Sequence, residues 1–409
     1  MIWLRTILCI LTAIMTVGTP AREPERPRMK PETFRIRAQM AQTEDVREYI
    51  RMGTMLELDT IDLERFELTP EEVDVLYGEM LNTQQLPWYV DLNWSYLCGS
   101  GETVQDLRPR YLDPSVYNRS RYERAAAEVL EETVKPGMTQ VQIALAIHDY
   151  LALHCAYDES LERYTEYDVL VRGSAVCQGY AEAYMDLLHR VGIECVVVPS
   201  EDMNHAWNQV KLDGQWYNVD LTWNDPAPNR EGMVGHSFFL ISDDLITRPE
   251  YGYYGWTSPY ECTDPTYDAG AFWGDVISPV VYEDADTCYL IRLRERDYQI
   301  LCRDEKTGTE QQLALVDFKY PQFAAKGTRW VHFYTAGLSK VGEALYYTDI
   351  NGLRRLDLIS GDVTTAYPHD ISGSGQAMVG SFLEDGKLYL TTIDREQQLH
   401  SFEVPYHGE

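Results

Sequence analysis

Residues 173–188 read GSAVCQGYAEAYMDLL, and residues 204–226 read NHAWNQVKLDGQWYNVDLTWNDP. Downstream of Cys177, the residues Tyr180, Tyr184, Leu187, Leu188 and Val191 fall at helical spacing. They form one apolar stripe of an amphipathic helix, which Gly192 ends. Cys177 opens this helix just after Gly173 and Ser174, so unpaired N–H groups and the positive end of the helix dipole face its sulfur. Such a position favours the nucleophilic thiolate. Taken alone, however, a cysteine at a helix start is more often structural than reactive. The run IECVVVP that follows reads as a buried strand.

The second stretch is a hairpin whose register can be calculated. A two-residue turn at Asp213-Gly214 sets Leu212 opposite Gln215, and paired positions then sum to 427. Extended along the whole ladder, this register pairs His205 with Thr222 and Trp207 with Asp220. His205, Trp207, Trp216, Asn218 and Asp220 then share one face. His205 and Asp220 become diagonal neighbours about 7–8 Å apart, close enough for their side chains to meet. A carboxylate gripping an imidazole fixes its tautomer and leaves the other nitrogen free to take a nucleophile's proton. A surface His–Asp contact is commoner than a catalytic dyad. The conjunction with a thiol at a nearby helix start favours chemistry.

Working outward, Thr69-Pro70-Glu71-Glu72 is a helix start with a capping residue, Pro at the first position and Glu at the third. Residues 44–82 read as mostly helical, and 87–112 as a strand pair with a turn at Gly99-Ser100-Gly101. Arg121–Val134 reads as a helix, and Thr139-Gln140-Val141-Gln142 caps another, on which His148 and His154 are expected to pack or face solvent. Beyond Pro279 alternating runs replace helices. Leu345 and Leu388 sit in matching places of two similar runs 43 residues apart, near a propeller-blade period, yet about 130 residues are too few for a closed propeller.

The expected layout is a signal peptide or membrane anchor at 1–21, a linker at 22–35 and a helical or mixed extension at 36–115. A core at 116–275 and a small antiparallel β domain of blade-like units at 280–409 complete it. The apolar run at 7–17 after Arg5 is signal-like, which makes a secreted or cell-surface protein the first expectation and an uncleaved tether the second. Eight cysteines become seven without Cys9, an odd number that leaves at least one free thiol; none forms a zinc-type CxxC pair.

The chain has 409 residues, 35 basic and 65 acidic, for a formal net charge of −30. A phosphate backbone or anionic lipid surface is repelled by that charge, so nucleic acid is excluded as a partner. Basic, lysine-bearing proteins or cell-wall peptides fit it better.

The segments AIHDYLALHCAYD, AVCQGYAEAYMDLLHRVGIECVVV, NHAWNQVKLDGQWYNVDLTWNDP and GHSFFLISDD resemble the transglutaminase-like superfamily, in particular its bacterial surface members. The resemblance covers roughly Arg121 to Asp244. It implies a papain-like α+β core in which the Cys helix packs on an antiparallel sheet. Residue by residue, it gives Cys177 as nucleophile, His205 as general base and Asp220 as the orienting acid. The implied activity is acyl transfer on amides through a thioester, either crosslinking or hydrolysis. Crosslinking relatives in animals use calcium, and no loop here matches a calcium site; no cofactor or metal is expected.

Weaker substrate-site candidates are Trp207, Tyr180, Trp223 and His236. Trp207 is preferred over Trp223 as the residue lining the cleft. Tyr180 and His236 are at least as readily structural, and Asn224 and Asp225 are expected to shape a turn. Two other classes compete. One is a surface binding scaffold acting through the β domain; the other, a metal-dependent hydrolase, suffers from the lack of ligand spacing.

Overall fold

The computed structural model describes residues 36–37, 39–83, 85–99, 102–225, 232–268, 273–294, 297–317, 320–324, 327–331, 336–349, 352–369, 375–384, 386–394, 396 and 398–405. The leader and linker expected at 1–35, and the tip of the turn at Ser100-Gly101, lie outside the described residues. No helix among the described residues is long and apolar enough to cross a membrane.

The first part comprises α1 (Val46–Met55), β1 (Ile61–Asp62), α2 (Pro70–Asn82), β2 (Val90–Cys98) and β3 (Val104–Tyr111), with sheet order β1-β3-β2. Helix α2 starts where the capping signal sits. The Thr69 hydroxyl accepts from Glu72 N at 3.3 Å, and the Glu72 carboxylate accepts from Thr69 N at 2.8 Å. These satisfy two donors that a helix start otherwise leaves open. Ile50, Ile61, Tyr77 and Leu107 close a separate small core here.

The central part runs α3 (Arg119–Thr133), α4 (Gln140–His154), β4 (Ala156–Tyr157), α5 (Glu166–Arg172), β5 (Ser174–Ala175), α6 (Cys177–Arg190), β6 (Cys195–Ser200), β7 (His205–Leu212), β8 (Gln215–Val219), α7 (Leu221–Asn224), β9 (Phe239–Ile241) and α8 (Asp243–Ile246). Strands β6-β7-β8-β9 form one antiparallel sheet in that order. Helix α6 lays Tyr180, Ala183, Tyr184, Leu187 and Leu188 against Cys195, Val210, Leu212 and Val219. The opposite face is closed by Val198, Trp207, Ile241, Leu245 and Tyr253. A core of mixed α and β structure is thus in place, its sheet covered on both sides.

The calculated register holds from Leu212↔Gln215 to Asn208↔Val219. Its turn has φ of 50° at Asp213 and 86° at Gly214, the left-handed pair a type I′ hairpin demands. Beyond Val219 the expected pairing stops. Asp220 leaves the ladder to cap α7, so neither His205–Thr222 nor Trp207–Asp220 forms, and His205 pairs instead with Ser200 on β6.

Among the described residues no helix follows Ile246. Antiparallel sheets succeed one another instead: β10 (Val281–Tyr282), β11 (Thr287–Arg294), β12 (Asp297–Asp304) and β13 (Glu310–Val316); β14 (Tyr320–Ala324) and β15 (Gly327–Val331); β16 (Leu338–Val341), β17 (Ala344–Asp349), β18 (Gly352–Asp357) and β19 (Val363–Pro368); β20 (Ala377–Glu384), β21 (Lys387–Ile393) and β22 (Leu399–Val404). Leu345 and Leu388 occupy the second position of β17 and of β21, both fully buried. The first of these sheets does not stand apart from the core. Cys288, Leu290 and Leu301 belong to the same buried cluster as Tyr184, Leu187 and Val210.

Candidate active site

Cys177 is the first residue of α6, and Val176 before it provides no side-chain cap. The approach to the helix is held by backbone and one carboxylate. Strands β4 and β5 pair in parallel, Ala156 with Ser174 and Tyr157 with Ala175. Asp158 N donates to Ala175 O at 2.9 Å, and Val176 N donates to Arg163 O at 2.9 Å. The Asp158 carboxylate accepts from the N–H groups of Glu162 and Arg163 at 2.8 and 2.9 Å. Burial raises its pKa, but these donors and Ser160 outweigh burial and hold it below the usual carboxylate value. The 158–163 loop is thereby clamped beside the thiol.

His205 opens β7 directly after Asn204, whose φ is 49°. Its Nε2 lies 2.5 Å from Asp220 Oδ2, and Cys177 is near enough for its charge to act on the ring. Because Nε2 is taken by the carboxylate, Nδ1 is the nitrogen available to the thiol. Asp220 is 1% exposed. Its other oxygen accepts from Trp223 N at 3.0 Å, which makes the same carboxylate both His partner and helix cap. Burial pulls the His205 pKa down, yet the charge and hydrogen bond of Asp220, with Cys177 adding to them, push it up to about 10. At neutral pH this favours an imidazolium beside the sulfur. The three residues expected to act together are therefore neighbours, brought to one point by a helix start, a strand start and a helix cap.

The weaker candidates fall differently. Trp207, expected in the cleft, is 1% exposed, and its indole N–H donates to Asn218 Oδ1 at 3.1 Å. Trp223 takes the open position: it is 60% exposed, with its ring edge-on to His205 at 6.2 Å between centroids. The preference is thus reversed, because the chain turns into α7 at Asp220 and carries Trp223 to the side of His205 instead of across the sheet. Tyr180 is fully buried under α6 and donates to Asp225 Oδ2 at 2.5 Å. Burial pushes the Asp225 carboxyl up to about 8. His236 is also buried, in a network behind the site.

That network joins His148, Asp149 and His236, whose ligand atoms lie within 4.8 Å of one another. Asp149 Oδ1 meets His148 Nδ1 at 2.8 Å and His236 Nε2 at 2.9 Å, while its Oδ2 accepts from Val280 N at 2.9 Å. His148 Nε2 accepts from the Asn224 amide at 3.0 Å, and His236 Nδ1 faces Val276 O at 3.1 Å. Every ring nitrogen and both carboxylate oxygens have a protein partner, so the cluster is a closed hydrogen-bond network. Burial lowers the His148 pKa despite Asp149. Asp149 is held down to about 2, burial being outweighed by His236 and His148. Through Asn224 the network supports α7 and hence Asp220. His148 and Asn224, read earlier as packing and turn residues, are members of this support.

A cavity of about 540 Å³ lies elsewhere, between α4 and the strands β16 and β20, and none of Cys177, His205 and Asp220 lines it. One site residue escaped the sequence altogether: Tyr253, buried, donates its hydroxyl to Asp220 Oδ2. In the run YGYYGW at 251–256, no spacing or periodicity distinguishes Tyr253 from Tyr251 or Tyr254.

Residues 127–221, which include Cys177, His205 and Asp220, match the family model of the transglutaminase-like superfamily. Kyphoscoliosis peptidase of Mus musculus is 27% identical over 161 residues, 31% of this chain and 24% of that protein. The Homo sapiens kyphoscoliosis peptidase is 26% identical over 143 residues, 29% of this chain and 22% of that protein. The chain therefore spans about a quarter of the length of the curated relatives it matches. A crystal structure of a TGase aligns over 38% of this chain and 49% of that one, at 15% identity and a TM-score of 0.23. Over residues 127–221 this chain carries a domain of the transglutaminase-like superfamily.

Proposed function

We propose that the protein is a cysteine acyltransferase or amide hydrolase acting on proteins or peptides outside the cell, with Cys177, His205 and Asp220 as its catalytic triad. The observation that carries this reading is the His205 imidazole, bound through Nε2 to a buried carboxylate with Cys177 beside it. In the proposed reaction the Cys177 thiolate attacks an amide carbonyl and a carbon–sulfur bond forms. The helix-start N–H of Cys177 is placed to donate to the developing oxyanion. The carbon–nitrogen bond then breaks, and the His205 imidazolium gives its proton to the leaving amine, leaving a thioester. Water or a primary amine attacks next, His205 takes the proton of that group, and the carbon–sulfur bond breaks to restore the thiolate. Water makes the enzyme a hydrolase; an amine makes it a crosslinker.

Iodoacetamide labelling across pH 5–9, located by mass spectrometry, tests the activation. Cys177 is expected to label faster than the exposed Cys98. The rate should fall at least tenfold in His205→Ala. Equal rates in the two proteins would sink the triad and favour a binding scaffold. Incubating an active protein with casein, with and without a fluorescent primary amine, then separates crosslinking from hydrolysis.

A further inference from the structure

The Asp220 carboxylate serves three donors. Oδ1 takes Trp223 N, while Oδ2 takes both His205 Nε2 and the Tyr253 hydroxyl. Tyr253 is 4% exposed, its ring edge-on to Trp207 at 5.0 Å and 6.2 Å from the His205 centroid. Its loop is fastened to the turn that precedes His205. Ser200 Oγ donates to Tyr254 O at 2.8 Å, Ser200 bridges to Trp256, and Tyr254 N meets Met203 Sδ at 3.3 Å. Gly255 has a φ of 64°, and a Cβ there would come within 2.7 Å of Asp202 Cβ. Only glycine lets the loop pass at this distance. The hydroxyl is thus delivered to one oxygen by a strand-end serine, a glycine and an aromatic pocket.

We propose that Tyr253 is a positioning residue of this site: by donating to the same Asp220 oxygen that holds His205, its hydroxyl aims the carboxylate and tempers its pull on the imidazolium. This rests on the triad reading above. A carboxylate oxygen shared between two donors offers less charge to each than one serving a single donor. Burial and the neighbouring Asp220 charge push the Tyr253 ionisation far up, which keeps the hydroxyl a donor throughout the working range. Asp220, Cys177 and Tyr253 are titratable groups that face His205. Asp220 in turn faces Tyr253 and, at longer range, His148 on α4. With the hydroxyl removed, more of the carboxylate's charge falls on His205, whose proton is then held more tightly.

The test is an NMR titration of full-length protein with ¹³C-labelled histidine, the His205 signal being assigned by its loss in His205→Gln. In Tyr253→Phe, which keeps the ring, the His205 pKa is expected to rise by about half a unit or more. The neighbouring Tyr254→Phe should leave it in place. A value in Tyr253→Phe that is unchanged or lower overturns the proposal. In an Asp220→Asn background Tyr253→Phe should add nothing, since the hydroxyl acts through the carboxylate; an undiminished shift there also overturns it. Should Tyr253→Phe not fold, a tyrosine fluorinated beside its hydroxyl at position 253, a stronger donor, is expected to lower the His205 pKa, and a rise or no change counts against the proposal. Failure of the triad reading shows separately, as Cys177 alkylation in the wild type that is indifferent to His205→Gln.

Discussion

His205 is a charged group in a nearly closed place, its side chain 10% exposed. Its pKa stands at about 10 in the fold against about 6.5 in an unfolded chain. In the window between these values the folded protein binds the extra proton, so stability due to this group is complete below pH 6.5 and is lost as pH rises toward 10. Urea unfolding at pH 6, 8 and 9.5 should show wild type losing its advantage over His205→Gln as pH increases; a difference constant with pH contradicts the imidazolium. Part of the arrangement was legible in the sequence, because Asp213-Gly214 fixes the hairpin as far as Asn208 and Val219. The remainder was not. Asp220 reaches His205 as a helix cap and not as a strand neighbour, and Tyr253 arrives from 33 positions downstream by a loop that no periodicity announces. The ranking of Trp207 over Trp223 failed for the same reason, since extrapolating an ideal strand past Val219 puts Trp223 on the wrong side.

Among the elements, α6 decides where the thiol sits, and Gly179 decides where α6 sits. A Cβ at Gly179 would stand 2.7 Å from Ala175 Cβ and 3.1 Å from Thr165 O, against the strand and the helix cap just upstream of Cys177. Gly179→Ala should therefore cost about 1–3 kcal/mol by overpacking. It should also slow Cys177 alkylation, because the element that moves carries the sulfur. Chemical denaturation together with the labelling rate checks both, and a variant as stable and as reactive as wild type would show that the gap can relax. The helices were readable from capping boxes at Thr69 and Thr139 and from the stripe along α6. The two-residue strands β4 and β5 were not, being too short for a pattern and defined only by each other.

For the molecule as a whole, Asp149 links three parts: α4 through its own backbone, the segment before β9 through His236, and the lead into β10 through Val280 N. Its pKa is held to about 2, below the unfolded value of about 3.9. The stability it contributes is present above pH 4 and lost as pH falls toward 2. Asp149→Asn should lower stability at pH 7 by about 3 kcal/mol, as expected when a buried charge partner is removed, and should flatten the acid side of the stability profile. Thermal unfolding at pH 7, 4 and 3 reads both effects, and an unchanged acid slope assigns that loss to other carboxylates. The sequence marked a change of texture near residue 280, which suggested a boundary between modules. Texture reports local alternation, whereas contact between modules depends on which faces meet. Cys288, Leu290 and Leu301 share one buried cluster with the helix that bears Cys177. The piece that can be moved intact into another protein is consequently larger than the piece that matches the superfamily. A graft cut at the texture change would take those three side chains out of the buried cluster that the reactive helix shares.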